Sequence, residues 1–465
     1  MRETGAILLL SCYELGHQPI GLASPAALLE GAGFRPACQD LSVQGLDPQQ
    51  VARARVVGIS VPMHTALRIG VAVGKRVREL NPRAHIVYYG LYAILNADYL
   101  LEQGGGDSVI GGEIEAPLLA LIERLAAGDQ APVLGVATRG HLAAPYLERF
   151  PLAVPSREGL PTLERYAHLE RDGMQVRAGY VELSRGCLHL CRHCPIPSVY
   201  NGRFFVVPRE VALADVDRLV AAGARHLTFG DPDFLNGPGH VMAVVREVHR
   251  RYPELTFDLT TKVENILRHR RLFPELRELG CAFVVSAIES LSDTVLGHLD
   301  KGHTRADIDI ALAVLREAGI PLRPTFVPFT PWSTASDYLE LLMFVESEGL
   351  IDHVDPVQYV LRLLLPPGSI LLSHPPLRPW LGGLDQATFT YRWTHPDPGM
   401  DELHRQVSEL VAEASQRQAD PMGTFYQVKE LAYRVLAGEE TAASPAFPAK
   451  GERRRPPRLT EDWFC

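Results

Sequence analysis

Two blocks in which short apolar runs alternate with segments of helical period, separated by a proline-rich stretch, fix what this chain can fold into. The first block covers residues 1–128. AILLLS (residues 6–11) reads as a buried strand, and Ser24-Pro25 supplies an N-cap and a first-turn proline for a helix. FRPACQD returns as a strand, and Asp47-Pro48 opens a short helix by the same device. VVGISV, HIVYYG and DSVIGGE follow as strands, and a last helix covers Pro117–Ala126. Such alternation predicts a Rossmann-like, flavodoxin-type parallel sheet covered on both faces. Ligands of these sheets bind beyond the carboxyl ends of the strands, where Ser60, Gly90, Gly111 and Gly112 lie. Residues this small let a large ligand approach the backbone. They equally suit tight strand-to-helix turns, and spacing alone does not choose.

Residues 129–178 have weak periodicity and prolines at 132, 145, 151, 155 and 161, which reads as a linker. From 179 to 366 the alternation resumes. Strands are expected at YVELS, HLTF, TFDLT, FVVSA, LRPTFV and VQYVL, with helices between them that include Arg268–Leu279. Six strand–helix units suit a partial (β/α)6 barrel, whose chemistry gathers where the strands end. Residues 367–436 form a helical region, with helices expected over Met400–Gln416 and Tyr426–Leu436. Residues 437–465 have the composition of a disordered tail, in which Arg453–Arg455 is a solvated basic run.

Composition narrows the function classes. The 465 residues carry 46 Lys and Arg against 55 Asp and Glu, a net charge of -9, without the basic face that nucleic-acid binding needs. No apolar run approaches the ~20 residues of a membrane span. The N-terminus lacks a secretory pattern, so the expectation is a cytoplasmic protein. There are seven cysteines, and three of them, Cys187, Cys191 and Cys194, fall within eight residues. Clustering of that kind in a large cytosolic chain points to metal or redox chemistry rather than to a disulfide framework.

The cluster is S-R-G-C-L-H-L-C-R-H-C-P, directly after the first barrel strand. Its spacing lets one loop wrap an inorganic cluster. Three thiolates satisfy three irons of a 4Fe-4S cubane and leave the fourth open to a reactant. The residues alone leave two alternatives: a structural zinc knot with His189 or His193 as fourth ligand, and a zinc-free packing of small apolar side chains. Against zinc, no second CxxC knuckle is present.

CLHLCRHC resembles the three-cysteine signature of the radical S-adenosylmethionine superfamily. Thr228-Phe229-Gly230-Asp231, the following Pro232-Asp233-Phe234, SAIESLSDTVLGHLDKGHT, PSVYNGRFFVVPRE and LLLPPGSILL resemble further segments of that family in the right order. The resemblance implies that Cys187, Cys191 and Cys194 bind a 4Fe-4S cluster, with His193 packed on it and His189 exposed. It implies that Gly230 and Asp231 receive the amino end of S-adenosylmethionine and that Glu289 receives its ribose. On the residues alone, Asp231 could instead cap a turn, and Glu289 the helix near Ser292. The family chemistry is reductive cleavage to a 5′-deoxyadenosyl radical, fed by a flavodoxin- or ferredoxin-type electron donor.

VGISVPMHTALR, VYYGLYAILNADYLL and SVIGGEIEAPLLALIERL resemble the cobalamin-binding domain of one class of that superfamily, which implies cobalamin as a further cofactor and methylation or rearrangement of a substrate the sequence does not identify. The Asp-x-His-x-x-Gly lower-ligand sequence is absent, and the context of His17 does not replace it. A cobalamin-independent radical oxidoreductase or mutase, and a zinc-stabilised non-catalytic binding protein, are the alternatives. The ending Leu459–Cys465 resembles the CUAEP/CCAEP-tail group of the superfamily, which implies a stop at a selenocysteine codon after Cys465.

Overall fold

The computed structural model describes residues 1–129, 131–437, 453 and 455–461. In the first block, β1 (Ile7–Ser11), β2 (Ala37–Asp40), β3 (Val56–Ser60), β4 (His85–Tyr89) and β5 (Ser108–Ile110) pair in parallel in the order β2-β1-β3-β4-β5. This is the flavodoxin-type arrangement expected. The two-residue period of β1 divides it between two cores: Leu8 and Leu10 pack on one face, Ile7 and Leu9 on the other. Continuous apolar runs such as AILLLS therefore follow from burial on both faces.

The first helix starts earlier than Ser24-Pro25 suggested. It spans Ile20–Gly31 with Pro25 inside it. Proline lacks the N–H that would bond the carbonyl four residues back, and Tyr89 Oη donates to that freed Gly21 oxygen at 2.9 Å. A buried partner thus compensates for the interior proline.

Residues 129–178 are more than a linker. β6 (Val136–Thr138) closes the first sheet as an antiparallel edge on β5, and β7 (His168–Arg171) joins the second sheet. That second sheet has the order β14-β13-β12-β11-β8-β7, with β17 (Arg458–Leu459) on the outer edge of β7. Its parallel part is β8 (Met174–Val181), β11 (His226–Phe229), β12 (Thr256–Thr260), β13 (Cys281–Glu289) and β14 (Leu322–Phe326), a curled half-barrel with helices outside. The sixth strand expected at VQYVL does not form. Pro356–Tyr359 is a short 3-10 turn, followed by a single bridge between Phe329 and Arg362. Gln358 explains the substitution, because its side-chain oxygen accepts from Phe326 N at 2.9 Å, the donor a sixth strand would have used. The single helix expected over Arg268–Leu279 is also divided, into Val263–Arg268, a turn at Arg270–Leu272 and Phe273–Glu278, with Pro274 in the first turn of the last.

The C-terminal region is helical, with Pro398–Gln416 and Pro421–Ala437, preceded by a hairpin of β15 (Leu381–Asp385) and β16 (Thr390–Trp393). The hairpin tip reaches the first domain. Phe389 lies in its core, edge-on to Tyr99 at 4.9 Å, and the neighbouring Thr388 carbonyl is 2.6 Å from His64 Nε2.

Within the expected disordered tail, the described residues are packed. β17 (Arg458–Leu459) pairs antiparallel with β7, and Leu459 covers Phe283 and Leu169. Arg453 is not solvated. It binds Asp352 and Asp420, its side chain 9% exposed, while Arg455 lies against Asp352 and Glu170. Acceptors supplied by other elements are what a composition argument cannot see. Cys465 and the ending around it lie outside the described residues. Among the described residues no helix is long and apolar enough to cross a membrane.

Candidate active site

The cysteine loop is built by a sharp exit from the half-barrel. After β8 the chain forms β9 (Ser184–Gly186), which pairs antiparallel with β10 (Phe204–Val206) and so closes the loop that carries the cysteines. Gly186 has φ +74, and a Cβ there would meet the Arg203 carbonyl at 2.5 Å, so glycine is needed at the root. Cys187 and Cys191 are buried and Cys194 partly so; all three are free thiols. Burial raises the Cys187 thiol, and it pushes Cys194 up to about 12 with Cys191 and Cys187 adding to the effect. Asn236 turns its amide nitrogen toward Cys187 Sγ at 3.7 Å. Among the described residues no three His, Cys, Asp or Glu side chains are grouped as the shell of a single metal ion.

Glu289 faces this loop from the end of β13, where its φ of +65 turns the chain out of the strand. Burial opposes its charge, but the Lys301 ammonium and then His193 hold the carboxyl well below the usual range. His193 Nε2 lies 3.1 Å and Lys301 Nζ 3.2 Å from the same oxygen, Oε1. Among the described residues every bond to this carboxylate goes to Oε1, so Oε2 is available to a ligand. Lys301 was not picked out from the sequence. Its signal was an ammonium placed one residue after a left-handed helix cap at Asp300, in a stretch otherwise buried by Leu296 and Leu299. Against its burial, Glu289 first, with Cys191 and Cys194 adding, holds the proton on Lys301.

Gly230 and Asp231 follow β11 and pack against the root of the cysteine loop. Tyr180 fills the space beside Gly230, and its ring occupies the position a Cβ would take. Asp231 is 2% exposed and serves the root of the cysteine loop: Ser184 Oγ donates to Oδ1, and Leu183 N donates to Oδ2 at 3.1 Å. Burial pushes its carboxyl up to about 7 despite these donors. Both donors come from the segment that leads into the cysteine loop, so these bonds join separate elements and do not cap a local turn. Asp233 is wholly enclosed and receives Thr261 Oγ1 at 2.7 Å, Asn265 Nδ2 at 2.8 Å and Leu235 N at 3.2 Å. His189 Nε2 lies 3.1 Å from it, so His189, its side chain 15% exposed, is not the solvent-facing residue expected. Two buried atoms here, His193 Nδ1 and Asn265 Oδ1, lack partners among the described residues, as the lining of a ligand site would.

At the carboxyl edge of the first sheet, the three glycines do not form an open cradle. A Cβ at Gly111 would strike Ile94, one at Gly112 would strike the Tyr146 carbonyl, and one at Gly90 would lie 3.1 Å from the Val61 backbone. They serve close chain crossings; Glu113 N donates to Tyr146 O at 2.7 Å. Ser60 is buried, 3.5 Å from Glu14 Oε1. His17 is also buried, 4.8 Å from the Tyr180 ring of the half-barrel, and desolvation lowers its pKa to about 4. The carboxyl edges of the two sheets meet at Arg185 of the cysteine loop, which binds Glu115 at 2.7 Å, Glu182 at 2.8 Å and Ser24 at 3.1 Å, with Glu113 at 3.5 Å.

Glu14 sits at this meeting point. Burial first, with Asp40 and Glu182 adding, pushes its carboxyl up to about 8 against the donated Gly21 N–H. The folded state therefore binds its proton more tightly than the unfolded chain does. The corresponding stability is fully present below the ordinary glutamate range and is lost as pH rises through about 8. Urea midpoints of a Glu14→Gln variant should fall less steeply than those of the wild type between roughly pH 5 and 8. Parallel curves would contradict the assignment.

An incomplete parallel barrel whose first strand feeds a Cys-x3-Cys-x2-Cys loop defines the class: an α/β enzyme built to hold an iron–sulfur cluster at the barrel mouth. Residues 181–344 match the Radical SAM superfamily, so the chain carries a radical SAM domain. It is 24% identical to the hopanoid C-3 methylase of Methylococcus capsulatus over 68% of this chain and 62% of that protein. Two methylthiotransferase relatives are matched over 42% and 39% of their length. Among solved structures, the radical S-adenosylmethionine methyltransferase TsrM from Kitasatospora setae aligns at TM-score 0.63 and 19% identity, covering 74% of this chain and 71% of that one. The cobalamin-dependent S-adenosylmethionine radical enzyme OxsB aligns at 0.70 and 14%, covering 93% and 73%. These structures share the fold of this chain over the aligned parts.

Proposed function

We propose that the protein cleaves S-adenosylmethionine reductively and uses the resulting 5′-deoxyadenosyl radical in a cobalamin-dependent methylation or rearrangement. The single observation that carries this reading is the trio Cys187, Cys191 and Cys194 on one loop at the half-barrel mouth, opposite an ionised, buried Glu289. A bound 4Fe-4S cluster would supply the electron for cleavage. The residues fit that group: three thiols come from one strand-to-helix loop, with the Lys301 ammonium and the Asn236 amide beside them to offset thiolate charge.

The chain's own residues do the rest. Lys301 and His193 keep Glu289 charged and fixed by Oε1, so that Oε2 accepts a ribose hydroxyl. Asp231 holds Leu183 and Ser184, and so sets the angle at which the cysteine loop leaves the sheet. Gly230 gives Tyr180 room to lie against the loop root. Enclosure of these groups keeps water and stray hydrogen donors from a reactive radical.

Cobalamin is supported by the order of the first sheet and by its position against the radical SAM domain, an arrangement shared with a protein described as cobalamin-dependent. Ser60, Gly90, Gly111 and Gly112 give it no open cradle, because chain atoms already lie against the three glycines. An electron donor of flavodoxin or ferredoxin type completes the system, in the cytoplasm, where the thiols stay reduced. Anaerobic reconstitution tests the reading. Dithionite should yield deoxyadenosine, and cobalt analysis with a corrinoid absorption band separates the cobalamin-dependent reaction from the cobalamin-independent oxidoreductase or mutase. One zinc per chain with no deoxyadenosine would overturn it in favour of a non-catalytic, zinc-stabilised protein.

A further inference from the structure

A cleft of about 650 Å³ lies on the outer side of the half-barrel, between the start of the helix Pro238–Arg251 and the broken segment around Arg268–Leu272. Its sequence, Arg268-His269-Arg270-Arg271, is a basic run within a chain of net charge -9. Two of the lining arginines are neutralised: Arg246 grips Glu275 at 2.6 and 2.9 Å, and Arg268 grips Glu264 at 2.8 Å. Arg270 and Arg271 are exposed and have no acidic partner among the described residues. Two uncompensated guanidiniums thus face solvent on an otherwise acidic protein.

Both walls of the cleft lead to the cysteine loop. On one side, Pro238 and Gly239 come two and three residues after Asn236, whose amide nitrogen is 3.7 Å from Cys187 Sγ. On the other, Glu264, held by Arg268, lies 3.6 Å from His189 Nδ1, and Asn265 Nδ2 lies 3.3 Å from His189 Nε2. Two leucines of that loop, Leu188 and Leu190, are 48% and 49% exposed. Exposed apolar side chains on the loop and unpaired arginines on the cleft that leads to it are the side-chain types that protein interfaces favour, arginine being enriched there and lysine depleted.

We propose that this cleft and the exposed leucines dock an acidic one-electron donor protein. The inference rests on the function proposed above, which requires an electron at the cysteine loop. The donor loses one electron, the cluster held by Cys187, Cys191 and Cys194 gains one, and no proton need cross the interface. Complementary charge would speed encounter and orient the donor toward the loop, an effect that weakens as salt rises.

The test compares the full-length, anaerobically reconstituted protein with an Arg270→Glu/Arg271→Glu variant, using reduced flavodoxin as the probe. Binding is measured directly, and deoxyadenosine formation is followed with flavodoxin and with dithionite. The variant should bind flavodoxin roughly ten-fold or more weakly and lose most of the salt dependence, with its dithionite-driven rate unchanged. Equal flavodoxin affinity for the two proteins overturns the proposal. So does a variant that loses binding of a short RNA duplex but keeps flavodoxin, because the cleft would then serve phosphates. A wild type that binds flavodoxin through these arginines yet forms no deoxyadenosine with either reductant sinks the functional reading and leaves the docking assignment standing.

Discussion

A Cys191→Ala protein is expected to fold normally and to form no measurable deoxyadenosine. The lost atom is one sulfur in a loop shaped by backbone contacts, among them Cys187 N to Arg203 O and Cys194 N to Cys191 O, which alanine preserves. Global stability should therefore change little. Iron and sulfide should fall from about four of each per chain toward zero, because two thiols cannot retain a four-iron cube whose fourth iron already lacks a protein ligand. The turnover loss should exceed about a thousand-fold, since no other residue can replace electron delivery. Parallel iron, sulfide and deoxyadenosine assays on the wild type and the variant check this. A variant that keeps iron, or forms deoxyadenosine at the wild-type rate, removes the cysteine trio from the mechanism.

Lys301→Met should produce the largest loss of stability among single changes at the site. The ammonium is enclosed, its side chain 3% exposed, and it neutralises a carboxylate that is itself only 8% exposed. Removal would leave Glu289 charged without its main partner, and breaking one side of a buried ion pair costs about 3–5 kcal/mol. Glu289 would respond by binding a proton, so the variant should unfold in less urea at neutral pH and recover part of the loss in acid. A Lys301→Met/Glu289→Gln double variant should be more stable than Lys301→Met alone, because the orphaned charge is gone. Urea titrations of all three proteins decide it, and a Lys301→Met midpoint equal to that of the wild type would show that the pair carries no such weight.

Much of the architecture was legible because burial on both sheet faces writes itself as apolar runs. AILLLS, VVGIS and HIVYY became β1, β3 and β4 in the expected order. The cysteine loop was legible as well, since its spacing is local. What could not be read were contacts between distant segments. Gln358 replaced a strand through one side-chain oxygen, and Pro25 was tolerated inside a helix because Tyr89, in another strand, took the freed carbonyl. Lys301 and His193 meet at Glu289 only after β13 and the following helix have folded. At Gly90, Gly111 and Gly112 the sequence could not choose between a ligand and a chain crossing, because a small side chain has the same signature in both cases, and the structure shows the chain drawing near at each. Among the described tail residues, Arg453 and Arg458 are paired for a related reason: composition reports solubility, and Asp352, Asp420 and Glu170 supplied their partners.

The tip of the β15–β16 hairpin bears on how this molecule could have been assembled. Phe389 completes the interior of a domain that ends long before it in sequence. A gene fragment cut after residue 128 would encode a sheet with a hole where that ring belongs, and a chimaera exchanging only the first half with a relative would inherit a mismatched plug. Recombination of the module therefore has to carry a remote turn along with it, and substitutions near Tyr99 and at Phe389 should drift together across descendants.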